Sequence, residues 1–313
     1  MKILVVGAGA IGGYFGARLL AAGRRVTFLV RARRAEQLRR TGLLVSSPAG
    51  DLHLESPPTI AAAQLDASFD LVLLSCKAYD LEGCIADFSA AMHAQTQVLP
   101  LLNGMHHMDV LDARFGSERV LGGIARISTT LDALGRIDHL GSFNTLVFGG
   151  RGAGAQRVAG TQRLADVTKA LQAPGFEAIA SNGVMQDMWE KWVFIATAAA
   201  LTSFMRATVG DIVAAGASDI AVGLMRECVA IATENGYPPA RAAVDFGLGI
   251  LTAPGSSFTA SMFRDIENRS RIEAQHIVGD LLARSRATHP LLSVANAHLR
   301  AYEARRTREG AGA

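Results

Sequence analysis

The first 34 residues constrain the fold of this chain more than any other stretch. Residues 3–6 are a run of aliphatic side chains, which is typical of a strand buried on both faces. The sequence GAGAIG follows at residues 7–12, then a helical pattern at residues 14–22 and a second strand pattern at residues 25–30. A strand, a glycine-rich turn, a helix and a strand in about 30 residues predict the βαβ unit of a dinucleotide-binding domain.

Each glycine of this turn has a mechanical role in such a unit. Gly7 permits the tight turn, Gly9 lets the backbone approach a pyrophosphate, and Gly12 lets the helix and the strand pack closely. The pyrophosphate then lies at the helix N-terminus, against the backbone N–H groups of residues such as Ala10 and Ile11. We expect these residues to bind a cofactor; the alternative is a glycine loop that serves only packing.

The end of the second strand indicates which dinucleotide binds. NAD-binding units carry Asp or Glu about 20 residues after the turn to hold the ribose 2′-hydroxyl. This chain has Arg31 there, followed by Arg33 and Arg34, and its first acidic residue is Glu36. A guanidinium binds a 2′-phosphate through charge-assisted hydrogen bonds, whereas a carboxylate repels it. We therefore predict NADP(H) rather than NAD(H); the alternative for Arg33 and Arg34 is a solvated start to the next helix.

The composition excludes several classes of protein. With 313 residues, 50% of them hydrophobic, the chain is long enough for two globular domains. A net charge of +3 is too small to indicate a nucleic acid or a membrane as partner. Three cysteines without metal-binding spacing indicate neither a disulfide framework nor a metal site and favour the cytoplasm. The sequence does not determine the oligomeric state, for which a homodimer is one alternative.

The pattern of secondary structure changes once along the chain. Up to residue 181 strands alternate with helices, so we predict an α/β, Rossmann-type N-terminal domain over residues 1–181. Beyond that point every segment has helical period, which predicts an all-α C-terminal domain over residues 182–313. Its expected helices cover residues 183–207, 218–235, 240–251, 258–286 and 290–308.

Within the first domain, buried strands are predicted at residues 70–75 and 98–102, in parallel with the first two strands. A hairpin is expected at residues 43–46 and 52–55. Three further strand segments, at residues 120–130, 135–140 and 146–148, predict an antiparallel extension of the sheet. A helix over residues 156–172 and a strand over residues 176–181 complete the domain.

Two polar side chains follow the predicted parallel strands, and a third lies on an apolar helix. Lys77 and Asn103 come where ligands bind in open α/β sheets, beyond the carboxyl ends of the strands. Lys191 lies between Trp189 and Trp192, so it either snorkels to solvent or has a function. Only four lysines occur in the chain. A cleft between the two domains is where we expect a substrate, and reduction of a carbonyl there needs a proton donor.

Taken together, these segments resemble the ketopantoate reductase (2-dehydropantoate 2-reductase) family of NADPH-dependent 2-oxo acid reductases, which serve pantothenate biosynthesis. The resemblance rests on an ordered set of segments along the whole chain. They are GAGAIG at residues 7–12, SCKA at 75–78, LNGM at 102–105, WEKW at 189–192, SMFRDI at 261–266 and RIE at 271–273.

The resemblance implies a role for each matching residue. Lys191 would donate the proton to the ketone oxygen, and Glu273 would bind a substrate hydroxyl and hold the lysine. Ser261 would bind near the substrate carboxylate, while Lys77 and Asn103 would face the nicotinamide ribose and the reacting centre. By pattern alone, Glu273 could instead be solvated, Ser261 an ordinary helix-surface serine, and Asp265 an intrahelical partner of Arg269.

The chain departs from the family at three positions in the substrate site. Where family members that act on ketopantoate carry asparagines, this chain has Ile195, Ala199 and Phe258. Lys191, Ile195 and Ala199 share one helical face, so that wall of the site is apolar. Thr202 lies near the same face and is expected to compensate in part.

We therefore expect an NADPH-linked reductase whose substrate is ketopantoate or a related, less polar 2-oxo acid. The alternative is a non-catalytic NADP(H)-binding sensor of the same fold.

His106 and His107 are interpreted as structural, because adjacent helical residues point about 100° apart.

Overall fold

The computed structural model describes residues 1–151 and 162–310 of the chain. The chain divides into two compact units. The first comprises Met1–Leu102 and His107–Met185, and the second comprises Asn103–His106 and Gln186–Ala313. Asn103–His106, which the sequence pattern placed in the first domain, thus groups with the helical unit.

Ten strands and twelve α-helices occur in the described ranges. The strands are β1 (Lys2–Val6), β2 (Arg25–Leu29), β3 (Leu43–Ser46), β4 (Leu52–Leu54), β5 (Thr59–Ile60), β6 (Leu71–Leu74), β7 (Gln97–Pro100), β8 (Gly122–Leu131), β9 (Ile137–Gly149) and β10 (Glu177–Ala180). The helices are α1 (Ala10–Ala21), α2 (Ala32–Thr41), α3 (Leu81–Phe88), α4 (His106–Phe115), α5 (Gln162–Leu171), α6 (Val184–Met205), α7 (Val209–Ala214), α8 (Ser218–Glu234), α9 (Arg241–Leu251), α10 (Ser261–Glu267), α11 (Asp280–Ala283) and α12 (Pro290–Arg308).

The first unit contains the predicted βαβ unit in a five-stranded parallel sheet. The strand order is β5-β2-β1-β6-β7, and all four neighbouring pairs are parallel. Ile3, Leu4 and Val5 are fully buried at its centre, as the aliphatic run predicted. The strand order reverses between β1 and β6, and the crevice outside the carboxyl ends of such strands is where open α/β sheets bind nucleotides.

The strands β8 and β9 form an antiparallel pair, but they belong to a second sheet and do not extend the first. Its order is β10-β9-β3-β4, and β8 pairs with β9. The expected hairpin of β3 and β4 is antiparallel and joins this sheet through a parallel pairing of β3 with β9. A single bridge, Val98 with Val120, links the segment before β8 to β7.

The segments predicted as separate strands at residues 135–140 and 146–148 are one strand, β9. The prediction was wrong because the residues between the two segments do not end the strand: Gly141, with φ of +93°, lies within it. A register shift between Ile127 and Thr129 of β8 absorbs the extra residues of β9 instead. Such a β-bulge keeps two strands paired across an irregularity. The predicted helix over residues 156–172 is observed as α5, and residues 156–161 lie outside the described ranges.

The second unit is helical, as predicted, but the helix expected over residues 258–286 is broken. Helix α10 ends at Glu267, and Arg269 adopts a positive φ of +55°, which interrupts the helical path. The chain becomes helical again at a π-helical segment, Gln275–Gly279, which continues into α11. The apolar period across residues 258–286 did not reveal this interruption. No described helix is long and apolar enough to cross a bilayer.

Candidate functional site

The glycine turn after β1 is shaped by its backbone. Gly7 has φ of +90°, a conformation that favours glycine, and its N–H donates to the carbonyl of Leu29 at 3.0 Å. The turn is therefore fastened to β2 directly after β1 ends.

Gly12 lies where helix α1 passes closest to the sheet. A Cβ at Gly12 would collide with the hydroxyl of Ser75 and with the carbonyl of Gly7. The Ser75 hydroxyl, after β6, donates to the carbonyls of Val6 at 3.0 Å and Gly7 at 3.3 Å. Gly12 is thus required by the packing of the protein itself.

Gly9 differs from Gly12 because the protein does not require a glycine there. It has φ of −83°, and a Cβ built on it would meet no described atom within 4 Å. Gly9 is also the N-cap of α1, where no described side chain caps the helix and the first turn, which begins at Ala10 and Ile11, carries no acidic residue. Unsatisfied N–H groups at an open helix N-terminus suit a phosphate group. The turn therefore fits the pyrophosphate of a dinucleotide.

The three arginines after β2 have different surroundings. The side chain of Arg31 is 67% exposed, and its Nη2 lies 3.6 Å from Oδ1 of Asp80. Arg33 is also exposed, but Arg34 is not the solvated residue that the alternative allowed. Burial lowers the pKa of Arg34 from its ordinary value.

Arg34 instead braces the glycine turn. Its Nε donates to the carbonyl of Ala8 at 3.0 Å, and its Nη1 donates to Gln37 Oε1 at 2.6 Å and the Gly135 carbonyl at 3.1 Å. Its remaining buried nitrogen, Nη2, has no hydrogen-bond partner among the described residues. The guanidinium therefore stabilises the glycine turn through its hydrogen bond to the carbonyl of Ala8. Arg34 was named by the sequence pattern, but its contact with the turn was not.

Lys77 begins a short 3₁₀ turn after β6. Its backbone is extended, with φ of −67° and ψ of 146°, and its carbonyl accepts from the N–H of Asp80 at 2.9 Å. The residue is half-buried. Lys77, the glycine turn and Arg31 all lie in the first unit.

The second unit brings Lys191 and Asn103 together. Nζ of Lys191, on helix α6, donates to Oδ1 of Asn103 at 3.0 Å. The two residues are 88 positions apart in the chain. Lys191 is half-buried, while the flanking Trp189 and Trp192 are almost fully buried. The ammonium of Lys191 therefore lies among buried aromatic residues and is hydrogen-bonded to Asn103.

Trp192 connects this helix to the π-helical segment. Its indole Nε1 donates to the carbonyl of Ile277 at 2.9 Å. Gly104, with φ of +81°, packs so closely on the same segment that a Cβ there would collide with the carbonyl of His276. The turn after Asn103, the π-helical segment and α6 are therefore held against one another.

Glu273 and Ser261 have different exposures. Glu273 is buried, with 6% of its surface exposed, although the charged pattern of its neighbours also allowed a solvated position. A carboxylate is rarely buried unless it is paired. Ser261 is exposed at the start of α10. Arg269 lies beyond the end of α10, so Asp265 and Arg269 do not share the helix that the intrahelical pairing required.

The positions of the missing asparagines form an apolar surface along α6. Ile195 is half-buried and Ala199 is buried on the helical face that carries Lys191. Phe258 lies beside Phe194, with ring centroids 6.1 Å apart. The sequence interpretation did not include Phe194, although its position three residues after Lys191 is a signal that could have indicated it.

Thr202 does not replace the missing amide groups. Its hydroxyl is fully buried, donates to the carbonyl of Ala198 at 2.8 Å and accepts from the N–H of Ala260 at 3.2 Å. The expectation of partial compensation was wrong, because the hydroxyl is engaged by backbone groups on both sides. It joins α6 to the chain that leads into Ser261.

The two adjacent histidines point to different surroundings, as their helical spacing predicted. His107 is buried, whereas His106 is exposed, and the His106 ring lies 5.7 Å from the ring of His276 between centroids. Within the described ranges, no group of three or more His, Cys, Asp or Glu side chains is placed to hold a metal ion.

Comparison with known proteins finds matches along most of the chain. Two family models match the chain, "Ketopantoate reductase PanE/ApbA" over residues 3–152 and "Ketopantoate reductase PanE/ApbA C terminal" over residues 183–299. An uncharacterized oxidoreductase of Bacillus subtilis, YkpB, is 35% identical over 308 residues, which cover 97% of this chain and 99% of that protein. A 2-dehydropantoate 2-reductase of Archaeoglobus fulgidus is 28% identical, over 90% of each chain.

Solved structures share the fold. The crystal structure of 2-dehydropantoate 2-reductase from Geobacter metallireducens has a TM-score of 0.85 and 27% identity, covering 96% of this chain and 99% of that one. A D-mandelate dehydrogenase in complex with NADH and anilino(oxo)acetate has a TM-score of 0.86 at 20% identity, covering 98% and 100%, which is a likeness of fold. Since the two family models together cover most of its length, this chain belongs to the ketopantoate reductase family of oxidoreductases.

Proposed function

We propose that this protein uses NADPH to reduce a 2-oxo acid to the corresponding 2-hydroxy acid. The observation that carries the proposal is the 3.0 Å hydrogen bond from Lys191, on a helix that is mostly apolar beyond this residue, to Asn103. Reduction of a ketone needs a proton donor whose charge also stabilises the developing alkoxide. A positioned ammonium meets both needs.

The first unit supports the cofactor assignment. The open position at Gly9 and the uncapped start of α1 fit a pyrophosphate, and Gly7 and Gly12 hold the turn in that shape. When bound, a reduced nicotinamide dinucleotide supplies a hydride to the carbonyl carbon of the substrate.

NADPH is favoured over NADH by the residues after β2. Arg31 is exposed at the N-terminus of α2 and reaches Asp80 only at 3.6 Å, so its guanidinium is accessible to a 2′-phosphate. The Asp80 carboxylate opposes the binding of a phosphate there, and it therefore moderates the preference.

The second unit supplies the groups that act on the substrate. Lys191 donates a proton to the ketone oxygen, and Asn103 fixes the direction of its ammonium. Buried Glu273 binds a substrate hydroxyl and holds the lysine in place, and Ser261 binds near the substrate carboxylate. Lys77, from the first unit, binds the nicotinamide ribose.

The apolar surface of α6 favours a substrate less polar than ketopantoate. Ile195, Ala199 and Phe258 offer no hydrogen bonds, and the hydroxyl of Thr202 is already engaged. Each buried polar group of a substrate that lost its partner would cost about 1–3 kcal/mol. A branched or aromatic substituent at the same place would instead gain from burial. We place the reaction in the cytoplasm, where free cysteines persist.

A panel of 2-oxo acids tests the proposal by following NADPH absorbance at 340 nm. The panel contains ketopantoate, pyruvate, 2-oxoisovalerate, 2-oxoisocaproate and phenylglyoxylate, each assayed with NADPH and with NADH. We expect turnover that rises with the apolar surface of the substituent and is faster with NADPH. Tight NADPH binding without turnover of any member would contradict the proposal and favour the sensor that the missing asparagines also allow.

A further inference from the structure

Two histidines that the proposed chemistry does not use lie in the segments that also carry Asn103 and Glu273. His106 begins helix α4, three residues after Asn103, and His276 lies in the π-helical segment, three residues after Glu273. Their ring centroids are 5.7 Å apart, with an angle of 41° between the ring planes. Single-turn π-helices are rare and frequently occur at functional sites.

Three contacts join the segments that carry Asn103, Lys191 and His276. Lys191 donates to Asn103, Trp192 donates to the carbonyl of Ile277, and Gly104 packs on the carbonyl of His276. The His106 ring contact lies at the other end of the turn that begins at Asn103. The position of Asn103 therefore depends on how this turn sits on the π-helical segment.

We infer that His106 and His276 are positioning residues, which hold the Asn103 turn against Lys191 while both rings are uncharged. The expected effect on kcat/KM rests on the proposed function, whereas the expected effect on the position of Asn103 rests on geometry alone. Two uncharged imidazole rings can pack against each other, whereas two imidazolium rings at this distance repel. Protonation then loosens the turn and weakens the acceptor that directs the ammonium of Lys191.

The surroundings of His276 oppose its protonation. Burial, and next the neighbouring His106, lower the pKa of His276 from its ordinary value of 6.5. Arg271 acts in the same direction, while the carboxylates of Glu273 and Asp280 act against it. The folded protein therefore favours the uncharged form of His276. This preference contributes to the free energy of unfolding in full above pH 6.5, and the contribution is lost as the pH falls through the lowered pKa of His276.

The side-chain amide of Asn103 gives a direct readout in the full-length protein. Its NMR resonance, assigned by its loss in Asn103→Ser, is followed from pH 8 to pH 5 together with the imidazole signals. We expect the amide resonance to shift with the titration of His276 and to stay unshifted in His276→Gln. His298→Gln is the matched control, because His298 is also a half-buried histidine of this unit but contacts Phe204 instead.

A substitution of the exposed His106 provides a second test if His276→Gln does not fold. His106→Gln removes the repulsion without disturbing a buried side chain, so the Asn103 shift should move to higher pH. The acid limb of kcat/KM should move in the same direction in His106→Gln and not in His298→Gln. An Asn103 resonance that ignores the titration of His276, or an unchanged titration in His106→Gln, would overturn the inference.

These outcomes separate the inference from the proposed function. If no 2-oxo acid is reduced but the Asn103 resonance follows His276, the proposed function fails and the positioning role stands. If 2-oxo acids are reduced while the resonance does not follow His276, the positioning role fails and the proposed function stands.

Discussion

The two units of the chain build their candidate sites in different ways. In the first unit, the site is mainly backbone: one short turn, Gly7 to Gly12, is shaped by the two strands and the helix that adjoin it. In the second unit, the candidate site consists of side chains from three separate segments, represented by Asn103, Lys191 and Glu273. A backbone site tolerates changes that keep its shape, whereas a side-chain site can be converted to another substrate one residue at a time. Under the proposed function, this difference would let a chain have the family's glycine turn and still carry Ile195, Ala199 and Phe258 at the substrate.

Among the substitutions considered, removal of the Lys191 ammonium in the second unit should have the largest effect on turnover. We expect Lys191→Ala to lower kcat by about 10²–10³, the scale for the loss of one donor at a developing oxyanion, and to leave the Kd for NADPH unchanged. Lys169→Ala is the control, because Lys169 is an exposed lysine of the first unit. Steady-state kinetics and fluorescence titration of NADPH measure the two quantities. Unchanged turnover would remove Lys191 from the mechanism.

Two alanine substitutions in the glycine turn separate ligand binding from packing. Gly9→Ala should weaken NADPH binding by about 10- to 100-fold, the equivalent of one lost charge-assisted hydrogen bond, without a change in Tm. Gly12→Ala should destabilise the fold by about 1–3 kcal/mol, because its Cβ collides with Ser75 and Gly7. Calorimetry and thermal unfolding distinguish the two. Equal losses of Tm in both variants would contradict a ligand role for Gly9.

Charge substitutions at the end of β2 test the choice of cofactor. Arg31→Asp should raise the Kd for NADPH about tenfold or more and change that for NADH little, since only NADPH has a 2′-phosphate. Asp80→Asn should act in the opposite direction and lower the Kd for NADPH about two- to fivefold, because exposed charge pairs interact weakly. Titrations at two salt concentrations provide the check. Equal weakening of both cofactors by Arg31→Asp would disprove the phosphate contact.

The smallest predicted effect is a change of substrate preference in the second unit. Ile195→Asn restores one amide beside Lys191, so kcat/KM for ketopantoate should rise about fivefold relative to that for 2-oxoisocaproate. Ile195→Leu keeps the surface apolar and should leave the ratio unchanged. Competition assays with both substrates measure the ratio directly. An unchanged ratio in Ile195→Asn would show that this face does not contact the substrate.

The sequence predicted the first unit well because its signals are local. The turn at Gly7, the buried strands and the change of period near residue 181 are all visible within short windows. The continuity of β9 was not visible, because β9 carries extra residues, Gly141 among them, as a bulge between the pairs Ile127–Asn144 and Thr129–His139. Contacts between distant residues, such as Arg34 with the carbonyl of Ala8, are also invisible in a local pattern.

The second unit was harder to predict because its site is discontinuous. No spacing rule relates Asn103 to Lys191, so their local patterns singled out each residue but could not predict that the two are in contact. The break after Glu267 and the π-helical segment leave the hydrophobic period almost unchanged, so they could not be predicted from it. The engagement of Thr202 by the backbone depends on a chain segment about 60 residues away in sequence. Side-chain sites of this kind require a structure.

Transfer of deuterium tests the central claim most directly. The purified protein is incubated with NADPH that carries deuterium on the transferable C4 position and with the best 2-oxo acid, and the product is examined by mass spectrometry. The account predicts a 2-hydroxy acid that carries one deuterium at C2, formed much more slowly by Lys191→Ala than by Lys169→Ala. A protein that binds NADPH tightly and yields no deuterated product, or a Lys191→Ala variant as fast as its control, would contradict it.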